Sequence, residues 1–138
     1  MSDILLDYSP CIGLLMSYQW LLRMLSSSEA EYRTISRQID EGLPSEDVHD
    51  PEWKRKISCE QQKIREKLRT AQQIIADIPD SPELIPCKLF LKDHYILGMS
   101  LTRTAAEMGV SVSTIRRIKD RCFHYFSDMD IPQTRDND

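Results

Sequence analysis

Apolar residues step by three and four along two long stretches of the chain. The first seam runs Cys11, Leu14, Tyr18, Leu21, Leu25, then Tyr32, Ile35 and Ile39, with only Ser28 interrupting the steps. Such spacing predicts a helix from about Pro10 to Asp40 with a heptad-like stripe. Its first half also carries Ile12, Leu15, Met16, Trp20, Leu22 and Met24 off the seam. A helix apolar around this much of its girth must bury more than one face. It is therefore either the central helix of one small core or the contact surface of a dimer or higher assembly. The second seam, Trp53, Ile57, Gln61, Ile64, Leu68, Ala71, Ile75 and Ile78, is thinner, because Gln61 and Ala71 add little apolar area. Two helices of similar length joined by a short polar linker most simply form an antiparallel hairpin.

Turn residues set the boundaries. Pro10 suits the first turn of a helix; Gly42 and Pro44 stop the first helix; Asp50 and Pro51 start the second. Pro79 and Pro82 end the hairpin, and Asp80 or Ser81 is placed to cap the next helix. Residues 83–97 then predict a supporting helix with Pro86 near its start, and Leu89, Phe90, Tyr95 and Ile96 roofing the element after it. Cys122, Tyr125 and Phe126 are expected to close that core from the other side. With four glycines and no β-branched clusters bounded by turns, the whole chain predicts an all-α fold. The expected division is a helical hairpin over 1–80, a helix-turn-helix over 81–127, and a disordered acidic tail over 128–138.

The stretch from Leu97 to Phe126 carries the helix-turn-helix spacing. Ala105 is small where two steeply crossed helices touch, and Gly109 four residues later tolerates the positive φ of a sharp turn. Ile115 and Ile118 share one face of the second helix and can pack back on Ala105, Met108 and Val110. Ser111 is placed to cap that helix. Its opposite face presents Val112, Ser113, Arg116, Arg117 and Asp120, the small polar and guanidinium side chains that reach base edges in a major groove. Arg103, Ser111, Thr114, Lys119 and Arg121 flank that face and are the candidate phosphate contacts. The alternatives are a solvated basic face, or a helix-turn-helix used only for protein contacts.

The residues Gly98-x-Ser100, Ala105-Ala106-Glu107-x-Gly109-Val110-Ser111 and Ser113-Thr114-Ile115 resemble region four of bacterial sigma factors, which reads the promoter −35 element. Tyr95-Ile96 and Ile115-Arg116-Arg117-Ile118-Lys119 look more like small phage regulators with a sigma-like C-terminus, the ArpU and RinA types that switch on late genes. The resemblance covers about the last 45 residues and leaves the first 80 unmatched. It departs at Thr104, where such proteins usually carry Ile or Val.

Composition narrows the classes. An apolar fraction of 41% with 29% charged residues is ordinary for a folded domain and excludes wholesale disorder. A formal charge of −4 argues against a non-specific nucleic-acid coat. The charge is uneven, however: residues 1–50 hold three basic against nine acidic residues, whereas Met99–Phe126 hold five Lys/Arg against two Asp/Glu. DNA contact would thus depend on a local patch. The second long helix also carries Lys54, Arg55, Lys56, Lys63, Arg65, Lys67 and Arg69. That run is either a solvated face pairing with the acidic first helix and with Glu60 and Glu66, or an auxiliary phosphate stripe.

Cys11, Cys59, Cys87 and Cys122 form no C-x-x-C pair, and His49, His94 and His124 are not spaced beside them as metal ligands. Each cysteine reads as a small core residue, and free thiols without a signal segment point to a reducing, cytoplasmic compartment. No apolar run reaches a membrane span, so no membrane partner is expected. Gly-rich phosphate loops, H-E-x-x-H and G-x-S-x-G are absent, and His94 beside Tyr95 fits packing better than catalysis. The reading is a non-enzyme with no cofactor and no metal site. Its expected partners are double-stranded DNA, a second copy of the chain bound through residues 10–40, and RNA polymerase as a further candidate. Two other readings stay open: a phage terminase small subunit, which would form a ring, and a protein-interaction module using the apolar excess of residues 12–25.

Overall fold

The computed structural model describes residues 9–42, 51–129 and 131. Among the described residues the chain is all-helical: α1 (Pro10–Met16), α2 (Tyr18–Asp40), α3 (Pro51–Ala76), α4 (Ile85–Leu91) running into a π-helical segment (Lys92–Ile96), α5 (Leu101–Met108) and α6 (Val112–Phe126). The expected linker at 45–50 with its Asp50 cap, and nearly all of the expected tail, lie outside the described residues.

Two compact units form. One takes in the described residues up to Gln19 and from Arg69 onward; the other is Trp20–Leu68. This division differs from a boundary near residue 80. The last turns of α3 bury Ala71, Ile74 and Ile75, with Ile78 just beyond, and all four belong to the unit that holds the C-terminal helices.

The first long helix is not continuous, which corrects the expectation of one helix from Pro10 to Asp40. Ser17 sits between α1 and α2, its hydroxyl donating to the Gly13 carbonyl at 3.0 Å while its N–H is shared between Gly13 and Leu14. A serine bonding back to the preceding turn bends or breaks a helix. Ser9 caps α1, its hydroxyl accepting from the Ile12 N–H, and Pro10 occupies the first turn. The separate α1 then buries Cys11, Ile12 and Leu15 and packs on α6 and the π-helical segment. Two of those three residues, Ile12 and Leu15, lie off the heptad seam.

In the Trp20–Leu68 unit, α2 and α3 meet through side chains in opposite sense. Tyr32 stacks on Trp53 at 5.4 Å, Ser28 accepts from the Gln61 amide at 3.0 Å, and Arg65 pairs with Glu29 at 2.7 Å. Among its described residues Leu21, Gln61 and Leu68 are buried, while Leu25, Ile35, Ile57 and Ile64 stay partly open. The two polar interruptions of the seams, Ser28 and Gln61, therefore satisfy each other. Of the basic run on α3, Arg65 meets Glu29 of α2 and Arg55 meets Glu52 one turn away.

The principal core lies in the other unit, around Phe90, Leu91, Cys87, Ile115 and Cys122, all at or near zero exposure. α4 starts without a side-chain cap. The Ser81 carbonyl accepts from the Leu84 and Ile85 N–H groups, and the Asp80 carboxylate pairs instead with Lys88 at 2.7 Å. The cap expected from Asp80 or Ser81 side chains is thus replaced by a backbone turn. Cys122 donates its thiol to the Cys87 carbonyl at 3.8 Å, and a hydrogen bond to Cys87 together with burial holds its pKa far above the usual thiol range. Cys59 departs from the expected pattern: it is exposed on α3, where its neighbours are charged or polar.

The π-helical segment leaves carbonyls short of partners, and Gln19 supplies them. Its amide donates to the Tyr95 and Ile96 carbonyls at 3.1 and 2.7 Å. Gly98, at φ +76, lies under this clamp, and a Cβ there would come within 3.0 Å of the Gln19 amide. Gly109 has a similar φ of +72 but open space where a Cβ would go. Gly109→Ala should therefore cost only the left-handed backbone term, about 1–2 kcal/mol. Gly98→Ala should cost roughly 1 kcal/mol more, because the pinned amide must give up hydrogen bonds. Urea unfolding of both variants checks the order, and equal losses would show that the clamp contributes nothing.

Candidate nucleic-acid interface

Local chemistry builds the α5–turn–α6 element. Ser100 caps α5 by accepting from the Arg103 N–H at 3.1 Å. Gly109 ends it in the left-handed conformation, with its N–H and that of Val110 returning to the Ala106 and Ala105 carbonyls. Ser111 then caps α6, accepting from the Thr114 N–H at 3.1 Å. Ala105, Ile115 and Ile118 are buried, and α5 packs on α6 as their spacing predicts. Thr104, the departure from the sigma-like pattern, is fully buried and satisfied: its hydroxyl donates to the Ser100 carbonyl at 2.8 Å. A β-branched residue of valine's shape fills the site, and the bond to the preceding turn offsets the cost of burying its oxygen.

The candidate base-reading residues come out on one accessible surface. Ser113, Arg116, Arg117 and Asp120 are exposed and Val112 is half-buried at the first position of the helix. Among the described residues no carboxylate lies within ion-pair distance of Arg116 or Arg117.

The candidate phosphate contacts are less uniform. Arg103 is exposed at the start of α5. Ser111 uses its hydroxyl twice inside the protein, accepting from the Thr114 N–H and donating to the Thr114 hydroxyl at 3.1 Å. It is occupied as a cap, which leaves Thr114, half-buried, as the hydroxyl with a proton to offer. The Lys119 ammonium sits over the Phe123 ring, 5.6 Å from its centroid, and is half-buried along its own helix. Arg121 lies with Arg117 on the flank of α6, beside a cleft.

That cleft was not legible in the sequence. It has a volume of about 520 Å³. Its apolar wall is Pro86 and Leu89 of α4, Met108 and Val110 at the turn, and Ile118 of α6; Thr114, Arg117 and Arg121 complete it. Leu89 does not roof the α5–turn–α6 element, which corrects the expectation. It is 47% exposed, because Cys87, Phe90 and Leu91 take the inward face of α4 and leave Leu89 outside. Tyr95 and Ile96 are half-buried, and Phe90 alone of the four expected roof residues is fully enclosed, stacked on His94 at 5.3 Å. His94 itself is tied to the Met99 carbonyl through Nδ1 at 2.7 Å, so it is part of the packing.

Among the described residues no cluster of three or more His, Cys, Asp or Glu is placed to hold a metal ion, and no helix is long and apolar enough to cross a membrane. A scan of protein-family models, a search of curated proteins and a search of solved structures find no match to this chain.

Proposed function

We propose that this chain is a sequence-specific DNA-binding regulator of transcription, of the phage or prophage kind, with α6 as its reading helix. The observation that carries the reading is the free surface of Ser113, Arg116 and Arg117 on a helix fixed at its start by Gly109 and Ser111. A rigid rod with two exposed guanidiniums, without ion-pair partners among the described residues, and a small hydroxyl suits direct readout, where Arg reaches guanine O6 and N7. Arg103, Thr114 and Lys119 flank it as positioning contacts to phosphate.

The partner in this reading is double-stranded DNA, met by a homodimer formed through residues 10–40. Trp20 and Met24, four apart on α2, are both exposed and give that helix an apolar stripe fit for a second copy. A two-fold dimer would set its reading helices about 34 Å apart, matching half-sites one DNA turn apart. RNA polymerase is the further partner that a sigma-like element implies.

Selection of binding sites from random duplex DNA by the purified full chain, at two salt concentrations, tests the reading. The expected result is a recurring, two-fold symmetric motif whose affinity falls with salt with a slope of about −0.9 per phosphate contacted. No enriched motif at either concentration would remove DNA reading and turn attention to Trp20 and Met24 as a protein-docking surface.

A further inference from the structure

We propose that the cleft beside α6 is a binding site for a small amphiphilic carboxylate, an apolar body bearing one anionic head. The site borders the core at Ile118, and it shares Arg117 with the candidate base contacts and Thr114 and Arg121 with the candidate phosphate contacts. Three observations specify its ligand.

The first is room: the cleft is open to solvent on one side and its volume of about 520 Å³ admits a small ligand lying against the wall. The second is the wall. Leu89 is a large apolar side chain left 47% exposed, next to Pro86, Met108 and Val110, and covering it removes apolar surface from water. The third is charge. Arg117 and Arg121 lie one helical turn apart on the same wall, both exposed, with no acidic residue in the lining and no ion-pair partner among the described residues. Two guanidiniums so placed can share one carboxylate through charge-assisted hydrogen bonds.

Together these match an amphiphile better than simpler occupants. A cation would be repelled by the arginines. Inorganic phosphate or a nucleic-acid backbone would use the arginines and leave the apolar wall bare. A neutral hydrocarbon would use the wall and leave the charge unanswered. An apolar chain or ring ending in a carboxylate uses both. The inference does not rest on DNA reading, because binding is measured with no DNA present.

The test uses the full chain and a dansyl-labelled medium-chain fatty acid, whose emission rises on transfer to an apolar site. Saturable binding is expected, with amide shifts in NMR spectra centred on Val110 and Ile118. Affinity should fall about tenfold or more in Arg117→Gln/Arg121→Gln, since hydrogen bonds to charged groups are lost. It should fall comparably in Leu89→Asp and stay unchanged in Arg69→Gln, which alters an exposed arginine elsewhere. All of these positions are exposed, so circular dichroism should show the parent's helicity. Binding that does not saturate, equal affinity for the methyl ester of the probe, or parent-like affinity in the double arginine variant would each overturn the proposal.

Discussion

Arg116→Ala is expected to weaken binding to a selected DNA site by about 1–3 kcal/mol, roughly 5- to 150-fold, while hardly changing affinity for random duplex. The same holds for Arg117→Ala. The loss should appear as relaxed preference at particular base pairs, because a bidentate Arg reads a base edge rather than a charge. Arg103→Ala provides the contrast. It sits at the start of α5, not on α6, and as a phosphate contact its loss should weaken binding to all sequences alike and shallow the salt slope by about one. Arg116 and Arg117 are exposed and unpaired among the described residues, so neither substitution should disturb the fold. Competitive binding of selected and random duplexes at fixed salt reads the difference. If the Arg116→Ala/Arg117→Ala variant keeps the parent's preference, α6 is not the reading helix.

The second large effect is on stability. Phe90→Ala should cost about 3–5 kcal/mol, the usual loss on truncating a buried aromatic ring, out of a total that is typically about 5–15 kcal/mol. Phe90 is fully enclosed, stacked on His94 and set edge-on to Tyr95 at 5.9 Å. Removing the ring leaves a cavity under the junction of α4 and the π-helical segment, where these neighbours cannot collapse without breaking the Gln19 clamp and the His94–Met99 bond. Leu89→Ala, one residue earlier on the outer face, should change stability by no more than about 0.5 kcal/mol. Urea denaturation followed by circular dichroism separates the two. Similar losses at both positions would mean that the inward face of α4 has been misassigned.

The two expectations differ in how directly they could be read from sequence. Arg116 and Arg117 are legible because helical phase, set by Ile115 and Ile118, puts them opposite the buried face. That Phe90 is enclosed and Leu89 exposed is not legible: both are apolar, and a short helix such as α4 offers too few turns for periodicity to choose between them. The cleft depends on that choice, so the sequence contained no sign of it.

The sequence by itself determined what is decided within about four residues. Pro10 in a first turn, Gly109 in a left-handed stop, Ser111 as a cap and the Ile115–Ile118 stripe each act through a neighbour one turn away, so chain spacing is enough. All-α character follows from the same short-range rules. Tertiary structure alone decided the pairings that span the chain, Gln19 with the Tyr95 and Ile96 carbonyls and Ser28 with Gln61, as well as the burial of the off-seam Ile12 and Leu15. Residue type states what such a group needs. Only packing states which distant group meets the need, because a buried polar atom takes whichever partner the fold brings within reach.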